Sequence, residues 1–301
     1  MKNYPINLEE VITQNIFSEN NTNADILRLD KIHPVISGNK YFKLKYNLKE
    51  AIDKGYKTVI TYGGAYSNHI VATAYWGKIN NLKTVGIIRG EESLNMSHTL
   101  QDSIKYGMQL KFISRTDYKN KDNFEFIQYL ENEFGNFYLI PEGGDNHLGR
   151  LGSKEILALT DSQKYTHIIS AIGTGTMYFG LVNASNLKQK IIGIPVLKGM
   201  VNFLNNNLEK IGNPEKLEYC QIIDNYHFGG YAKKNQELID FMNDFYRKTN
   251  IPTDFVYTAK LIYAFFDLVK NNYFPDNSNI LLIHSGGLQG NLSLSKDKII
   301  F

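Results

Sequence analysis

The residues best suited to chemistry in this chain are one lysine and two glycine-rich turns. Lys40 follows Ser37-Gly38-Asn39 and begins a helical pattern that continues to Leu48. The segments Gly63 to His69 and Gly173 to Thr176 each follow a strand-like run and open a helix. Because the first turn of a helix leaves backbone N–H groups free, each segment can bind an anion. An amine and two anion sites are what pyridoxal phosphate (PLP) and an amino-acid carboxylate require.

The turn from Gly173 to Thr176 is, by itself, as compatible with an ordinary strand-to-helix turn as with a phosphate site. Its spacing is not the G-x-G-x-x-G of dinucleotide-binding proteins, and the next strand, Ile191 to Val196, runs into Leu197-Lys198 with no acid for a ribose. A Walker loop is excluded because the terminal Gly-Lys-Ser/Thr is missing. The pattern therefore favours a plain phosphate group over a nucleotide.

Ser67 and Asn68 stand at a predicted helix start, where both residue types are favoured as N-caps. A substrate carboxylate would use the same donors, so a capping role and a binding role coincide here. Metal binding by His69, His147 and His284 is disfavoured because no pair has a metal-ligand spacing. We predict no metal site and place His69 as a pocket or hydrogen-bonding residue.

Composition argues against several classes of protein. The chain has 301 residues, with 33 Lys and Arg against 30 Asp and Glu, and its formal charge of +3 is not concentrated in any run. We therefore expect neither a nucleic-acid nor a membrane partner, and no apolar stretch reaches the roughly 18 residues of a membrane span. A single cysteine, Cys220, excludes an internal disulfide and is compatible with the cytoplasm, which we expect as the location.

Short β-branched runs alternate with helical patterns along the chain, which predicts parallel sheets and an α/β fold. The predicted strands are Lys57 to Tyr62, Thr84 to Ile88, Leu110 to Ser114, Phe137 to Ile140, Thr166 to Ala171, Ile191 to Val196, Leu217 to Ile223 and Asn279 to Ile283. Helical periods cover Ser97 to Tyr106, Asn123 to Phe134 and Glu237 to Tyr246. We expect two open parallel-sheet, three-layer domains, a large one from residues 1–43 and 149–301 and a small one from residues 44–148.

Five motifs, in order, resemble the PLP-dependent family that contains 1-aminocyclopropane-1-carboxylate (ACC) deaminase and D-cysteine desulfhydrase. The similarity runs from Arg28 through most of the chain. The motifs are Ser37-Gly38-Asn39-Lys40, Gly63 to His69, Gly173 to Thr176, Val256-Tyr257-Thr258-Ala259-Lys260 and His284-Ser285-Gly286-Gly287. The resemblance implies PLP fold type II, like the tryptophan synthase β-subunit, with a large PLP-binding domain, a small substrate-binding domain and a homodimer.

The same resemblance implies roles for individual residues. Lys40 would be the Schiff-base lysine, with Ser67 and Tyr257 as further catalytic residues. The cofactor contacts would be Lys40, Asn68, Gly173, Thr174, Gly175, Thr176 and Thr258, with Thr258 at the pyridine nitrogen. The substrate contacts would be Ser67, Asn68, His69, Tyr231 and Ser285.

Departures from the family pattern bear on the substrate. After Lys40 the family usually has Thr-Arg-Lys-Leu-Glu-Tyr, whereas this chain has Tyr41-Phe42-Lys43-Leu44-Lys45-Tyr46, which keeps Lys43 but loses the Arg and reverses the charge of the Glu. The region of Tyr231 matches only loosely. Deaminase-like members have Glu and Leu at the positions of Thr258 and Ser285, whereas desulfhydrase-like members have hydroxyl residues at both.

Hydroxyl residues at these two positions favour α,β-elimination. A Glu would keep the pyridine nitrogen protonated and make the ring a strong electron sink. Loss of a good leaving group such as thiolate needs less stabilisation of the carbanion at Cα. We therefore expect a lyase acting on a small β-substituted amino acid, with D-cysteine giving pyruvate, ammonia and sulfide. ACC deamination or another reaction of the scaffold, and a PLP-binding protein with little turnover, are the alternatives.

Overall fold

The computed structural model describes residues 6–19, 21–295 and 297–301, which form two β-sheets flanked by helices. The strands are β1 (Thr13–Glu19), β2 (Thr22–Arg28), β3 (Thr58–Gly63), β4 (Lys83–Arg89), β5 (Met108–Ile113), β6 (Tyr138–Ile140), β7 (His167–Ile172), β8 (Lys190–Pro195), β9 (Cys220–Ile222) and β10 (Asn279–His284). The larger sheet has the order β1-β2-β10-β7-β8-β9 and the smaller β5-β4-β3-β6. Every pairing between these strands is parallel except that of β1 with β2.

Helices cover both faces of each sheet. They are α1 (Asn39–Asp53), α2 (Asn68–Ile79), α3 (His98–Lys105), α4 (Arg115–Lys119), α5 (Phe124–Phe134), α6 (His147–Lys154), α7 (Thr176–Ala184), α8 (Gln236–Thr249) and α9 (Thr258–Lys270). No helix in the described part of the chain is both long and apolar enough to cross a membrane.

The larger sheet is buried on both faces, as a parallel sheet between helices must be. On β7, Ile168 and Ile172 pack on the side of α7, whereas Ile169 and Ala171 pack on the side of α8 and α9. Full burial of one such side chain contributes about 1.5–3 kcal/mol. The six residues of β7 are all buried, as expected of a strand covered on both faces.

The smaller sheet has the same three-layer construction. Val59 of β3 packs with α1 and α2, and Ile60 and Tyr62 pack with α4 and α5. Helix α1 joins the two cores, since Phe42 belongs to the core of the larger sheet and Leu44 to that of the smaller. The helix that begins beside Lys40 is therefore held by both sheets.

The α/β fold with parallel sheets confirms the predicted fold class, and most predicted elements agree to within a few residues. The strand predicted over Leu217 to Ile223 is wrong in its first half, where Pro214–Tyr219 form a 3₁₀ helix. Asn213 caps this helix by accepting a hydrogen bond from the N–H of Glu215 at 3.1 Å, and proline suits the first helical position. Only Cys220–Ile222 pair as a strand, β9.

Strands β1 and β2 were not among the predicted strands. Their sequence is rich in Asn, Asp and Glu, residue types that are depleted in strands, and β1 lies at an edge of the sheet where polar residues are tolerated. Both strands precede Lys40 and belong to the larger sheet. The proposed division into domains at residues 43/44 and 148/149 stays a prediction.

Candidate active site

Lys40 is held in place by the segment that follows β10. Gly38, the residue before α1, has a φ of 65°, and a Cβ there would lie 1.8 Å from the carbonyl oxygen of Ser285. The N–H of Asn39 donates to the same oxygen at 3.1 Å. No side chain fits at position 38 without separating the two segments, so glycine there keeps Lys40 beside Ser285.

The amine of Lys40 is chemically unusual. Its Nζ lies 2.5 Å from Oδ1 of Asn39 and 6.0 Å from the centre of the Tyr257 ring. Burial lowers the pKa of Lys40 to about 8, although the nearby charge of Asp254 acts in the opposite direction. About a tenth of an amine with this pKa is neutral at pH 7, and the neutral amine is the nucleophile. Lys40 is thus suited to forming an imine.

The turn Gly173 to Thr176 has the geometry of a phosphate site. Gly175 has a φ of 89°, and a Cβ there would lie 2.4 Å from the ring of Phe203. The hydroxyls of Thr174 and Thr176 lie 2.9 Å apart. Within the described part of the chain, no protein group accepts a hydrogen bond from the four N–H groups of this turn. Free donors at the start of α7 are what a phosphate binds.

Two lysines lie close to this turn. Asp145 accepts hydrogen bonds from the hydroxyl of Thr176 at 3.2 Å and from Nζ of Lys210 at 2.7 Å. Burial and the positive charge of Lys40 lower the pKa of Lys43 to about 7, against the opposing effect of Asp145. A bound phosphate dianion would favour the charged form of Lys43.

The turn after β3 supplies uncommitted polar atoms. Ser67 caps α2, although its Oγ accepts from the N–H of Ile70 at a long 3.4 Å. Oδ1 of Asn68 is buried without a hydrogen-bond partner among the described residues, and Nδ2 of Asn68 lies 2.8 Å from where a Cβ on Gly287 would be. A buried acceptor without a partner is costly unless a ligand satisfies it. Asn68 is therefore suited to contact a ligand. It lies next to the segment that supports Lys40.

His69 is neutral and has a defined tautomer. Burial, followed by the charges of Lys40 and Lys43, lowers the pKa of His69 to about 3. The hydroxyl of Thr61 donates its only hydrogen to the carbonyl oxygen of Ile140 at 2.9 Å, so Nε2 of His69, at 2.9 Å from that hydroxyl, must be the donor. Nδ1 is then an acceptor, and it has no partner among the described residues.

This tautomer has a consequence for the ligand. A carboxylate only accepts hydrogen bonds, so it matches Ser67 and the N–H groups at the start of α2 better than it matches Nδ1 of His69.

Among the residues that the structure describes, no group of three or more His, Cys, Asp or Glu side chains is placed to hold a metal ion.

The loop that carries Tyr257 and Thr258 is organised by Asp254, which the sequence interpretation missed. Its carboxylate is fully buried and accepts four hydrogen bonds at 2.7–2.9 Å, from the N–H groups of Val256, Tyr257 and Thr258 and from the hydroxyl of Thr258. An Asp just before a helical period is a helix-start signal, which could have identified it. The Thr258 hydroxyl also accepts from the N–H of Asp254 at 2.7 Å, so it can offer a ligand only its remaining lone pair.

Tyr257 and Tyr231 meet edge to face near Lys40. Their ring centres are 6.1 Å apart and their hydroxyl oxygens 3.4 Å apart. A Cβ on Gly173 would lie 3.2 Å from the Tyr257 ring, so this ring lies close to both Lys40 and the turn Gly173 to Thr176. Burial raises the pKa of Tyr257 well above its usual range, and both phenols are protonated at neutral pH.

Ser285 is placed by a buried polar network at the end of β10. Nε2 of His284 lies 2.8 Å from the carbonyl oxygen of Pro252, and Nδ1 lies 3.3 Å from Oδ1 of Asp30. Arg28 in turn holds Asp30 through two hydrogen bonds of 2.7 and 2.8 Å. His284 is therefore a support for Ser285.

These residues fit PLP. The amine of Lys40 and the Gly173 turn both lie near the Tyr257 ring. The unpartnered atoms of Asn68 and His69 follow β3, so these groups lie at the carboxyl ends of β3, β7 and β10 or on segments they support. Ligands bind at these ends in open α/β sheets. The arrangement thus fits a phosphate-bearing aldehyde, with further polar groups nearby for a second ligand.

Comparison with known proteins agrees with this class. Residues 11–286 match the family described as "Pyridoxal-phosphate dependent enzyme". A "Putative 1-aminocyclopropane-1-carboxylate deaminase" of Thermotoga maritima is 30% identical, with 91% of each chain covered. A mitochondrial "Bifunctional D-cysteine desulfhydrase/1-aminocyclopropane-1-carboxylate deaminase" of Arabidopsis thaliana is 28% identical over 90% of this chain and 74% of the plant protein.

Solved structures show the same fold. The crystal structure of an ACC deaminase homologue has a TM-score of 0.77 and 30% identity, covering 94% of this chain and 90% of the other. O-ureido-L-serine synthase, at 12% identity and a TM-score of 0.68, shares the fold. The chain belongs to the PLP-dependent enzymes, and within them to the ACC deaminase family. The predicted family, fold type and cofactor are confirmed, whereas the roles of individual residues stay predictions.

Proposed function

We propose that this enzyme is a lyase that eliminates the β-substituent of a small amino acid, with D-cysteine as substrate and pyruvate, ammonia and sulfide as products. The observation that carries this proposal is the pair of hydroxyl residues, Thr258 and Ser285, where deaminase-like members of the family have Glu and Leu. Both are buried on the segments that support Lys40 and Tyr257. The bifunctional plant relative, whose name includes D-cysteine desulfhydrase, supports the same assignment.

In this proposal each of the two glycine-rich turns binds one anionic group, either the cofactor phosphate or the substrate carboxylate. The N–H groups of Gly173 to Thr176 bind the cofactor phosphate, while Ser67 and the start of α2 bind the substrate carboxylate. Asn68 contacts both cofactor and substrate, and His69 offers its acceptor Nδ1 to a donor of the ligand. PLP, when bound, supplies the electron sink that weakens the Cα–H bond.

Lys40 has two tasks, because the same amine holds the cofactor and, once displaced by the substrate, can take the Cα proton. Its lowered pKa suits both tasks, since the free amine is partly neutral at pH 7. Tyr257 covers the reacting centre, and Tyr231 lies against it. Ser285 is a polar residue that lines the part of the site where the substrate binds.

Thr258 remains a neutral partner in this scheme. Its hydroxyl hydrogen goes to Asp254, so towards the ring it offers only a lone pair. It can accept from a pyridine N–H but, unlike a Glu, brings no negative charge of its own to hold that proton. Loss of a thiolate requires less stabilisation of negative charge at Cα than opening a cyclopropane does, and this supports elimination over deamination.

ACC deamination is the second candidate, favoured by the names of the relatives from Thermotoga and Arabidopsis. A PLP-binding protein with little turnover is the third candidate, suggested by Tyr41 and Phe42 in place of the family's Thr-Arg. The packing argues against this third candidate. Phe42 is fully buried in a core, and Tyr41 stacks on Trp76 with ring centres 5.4 Å apart, so each ring has a packing role of its own.

A panel of D- and L-amino acids tests these candidates, with pyruvate, sulfide and ammonia measured separately. We expect sulfide and pyruvate from D-cysteine and little ammonia from ACC. Turnover of ACC with none of D-cysteine would overturn the substrate assignment and leave the PLP enzyme intact. No turnover of any member of the panel, in protein that carries PLP, would favour the low-turnover binder.

Two variants extend the test to the residues themselves. Thr258→Glu should lower elimination, and Thr258→Glu combined with Ser285→Leu should shift the ratio of activities towards ACC. Ser293→Leu is a matched control, because Ser293 is in the same C-terminal region and its hydroxyl donates only to the carbonyl oxygen of Gly290. An unchanged ratio in the double variant would remove both positions from substrate selection.

We also propose a homodimer, as the resemblance implies, and a cytoplasmic location, with which the single cysteine is compatible. The mass in solution by light scattering tests the first point, with about twice 34.4 kDa expected. Localisation of a tagged full-length chain tests the second.

A further inference from the structure

A buried lysine next to the site has no role in the function proposed above. Lys260, in the first turn of α9, is fully buried. Its Nζ donates to the carbonyl oxygens of His227 at 2.8 Å and of Gly230 at 2.9 Å. Within the described residues no carboxylate lies within 4.0 Å of it. Burial lowers the pKa of Lys260 to about 8, so placing an amine here carries a cost in stability.

The segment that Lys260 holds is strained. Phe228 and Ala232 have φ angles of 52° and 54°, although neither is glycine, and Gly229 and Gly230 between them have 90° and 122°. A non-glycine residue in the left-handed region costs on the order of 1 kcal/mol or more and persists only where the surroundings impose it. From the protein interior, the two bonds from Lys260 hold the backbone of the turn, while the ring of Phe228 packs against Tyr263.

Tyr231 follows this segment directly. Its side chain is 41% exposed, yet its ring meets that of Tyr257, and its hydroxyl lies 3.4 Å from the Tyr257 hydroxyl. The flanking residues from Ala232 to Glu237 are exposed, and the N–H of Lys233 donates to the carbonyl oxygen of Gly230 at 3.1 Å, which ties them to the same turn. The position of Tyr231 over the site thus depends on the shape of the turn before it.

We propose that Lys260 is a positioning residue, whose buried amine fixes the turn His227 to Gly230 so that Tyr231 closes the site against Tyr257. The proposal rests on the proposed function for the role of Tyr231 in turnover. Its structural part, the fixing of the turn by the amine, holds whichever substrate the enzyme uses.

Replacement of the amine by an apolar chain of similar length tests the structural part. In Lys260→Met, limited trypsin digestion of the PLP-loaded protein should cleave after Lys233 and Lys234, both exposed just beyond the turn, at least about tenfold faster. Lys270→Met is the matched control, since Lys270 is an exposed lysine of the same helix. An unchanged cleavage rate in Lys260→Met would overturn the proposal.

Kinetics with the best substrate of the panel test the functional part. Lys260→Met should lower kcat/KM by about 10- to 100-fold, as small displacements of a site residue do, while the PLP absorbance per chain stays within twofold of the parent. Combining Lys260→Met with Tyr231→Phe should cost no more than the larger single effect. Fully additive losses would show that Lys260 acts independently of Tyr231 and would reject the proposal.

A second variant covers the case in which Lys260→Met fails to fold. Gly230→Ala leaves the lysine in place but disfavours the φ of 122° that the turn requires. It should reproduce the faster cleavage and the lower kcat/KM with unchanged PLP content. Faster cleavage with full activity would reject the link from the turn to catalysis. If no amino acid is turned over by the parent, the cleavage results alone still decide whether Lys260 fixes the turn.

Discussion

The two glycine-rich turns of the site have the same strand-turn-helix form but opposite ways of starting their helices. Helix α2 begins at a side-chain cap, Ser67, whose Oγ accepts from the N–H of Ile70. Helix α7 begins after Gly175, which has no side chain to cap it and lies in the left-handed region. The turn before α2 therefore caps its helix with a side chain, whereas the turn before α7 leaves its backbone N–H groups free.

This difference indicates which ligand each turn suits. A phosphate has several oxygens around one centre, and the four N–H groups of Gly173 to Thr176 can approach it because glycine adds no bulk. A carboxylate is smaller and flat and only accepts hydrogen bonds, so it matches the hydroxyl of Ser67 and the N–H groups at the start of α2, whereas the unpartnered Oδ1 of Asn68 suits a donor of the ligand. Lys40 is contributed by a third segment, which precedes both turns in the chain.

Loss of Lys40 has the largest expected effect, because neither turn can replace its amine. Lys40→Ala should lose the reducible linkage to PLP and all turnover, while the turns still bind PLP noncovalently. Borohydride reduction followed by peptide mapping checks this, with Lys45→Ala as the control. A retained reducible linkage in Lys40→Ala would mean that another lysine carries PLP, with Lys43 the first to examine.

Gly175→Val tests the phosphate turn. The added Cβ would lie 2.4 Å from the Phe203 ring, so the turn must shift, and PLP affinity should fall about 10- to 100-fold, as for loss of one hydrogen bond to a charged group. Gly107→Val is a matched control, because Gly107 has the same φ of 89° with no atom near its Cβ position. Equal PLP affinity in Gly175→Val and parent would remove this turn from the site.

The pH dependence of PLP uptake tests the amine separately from the turns. With the pKa of Lys40 lowered to about 8, its neutral fraction rises as pH rises through 8. The rate of PLP uptake by apo-protein should increase about tenfold from pH 7 to pH 9 and then level off. Absorbance during mixing measures this rate. A rate that continues to climb tenfold per pH unit up to pH 10 would indicate an ordinary lysine.

Ser67→Ala has the smallest expected effect and sharpens the contrast between the turns. Loss of the cap should lower the free energy of unfolding by about 1 kcal/mol. The KM for the amino acid should rise about tenfold through a lost hydrogen bond, with PLP content unchanged. Ser114→Ala, which removes the corresponding cap of α4, should lower stability alone. Weaker PLP retention in Ser67→Ala would contradict the separation of roles.

The local parts of the site were predictable from the sequence. Gly38, Gly63 and Gly175 mark turns because glycine alone adopts certain backbone angles or permits close approach, and Ser67 marks a helix start because its cap is local. Short β-branched runs such as those of β7 and β10, alternating with helical patterns, predicted the strands of parallel sheets.

Tertiary structure decided how these parts combine. The contact of Gly38 with Ser285, the tautomer of His69 set by Thr61 and the two bonds of Lys260 each join residues that no local pattern relates. Hydrogen-bond partners depend on where separate segments meet, and sequence spacing does not contain that information. The sequence by itself therefore determined the glycine-rich turns and the α/β class, whereas packing decided which protons and lone pairs stay free for a ligand.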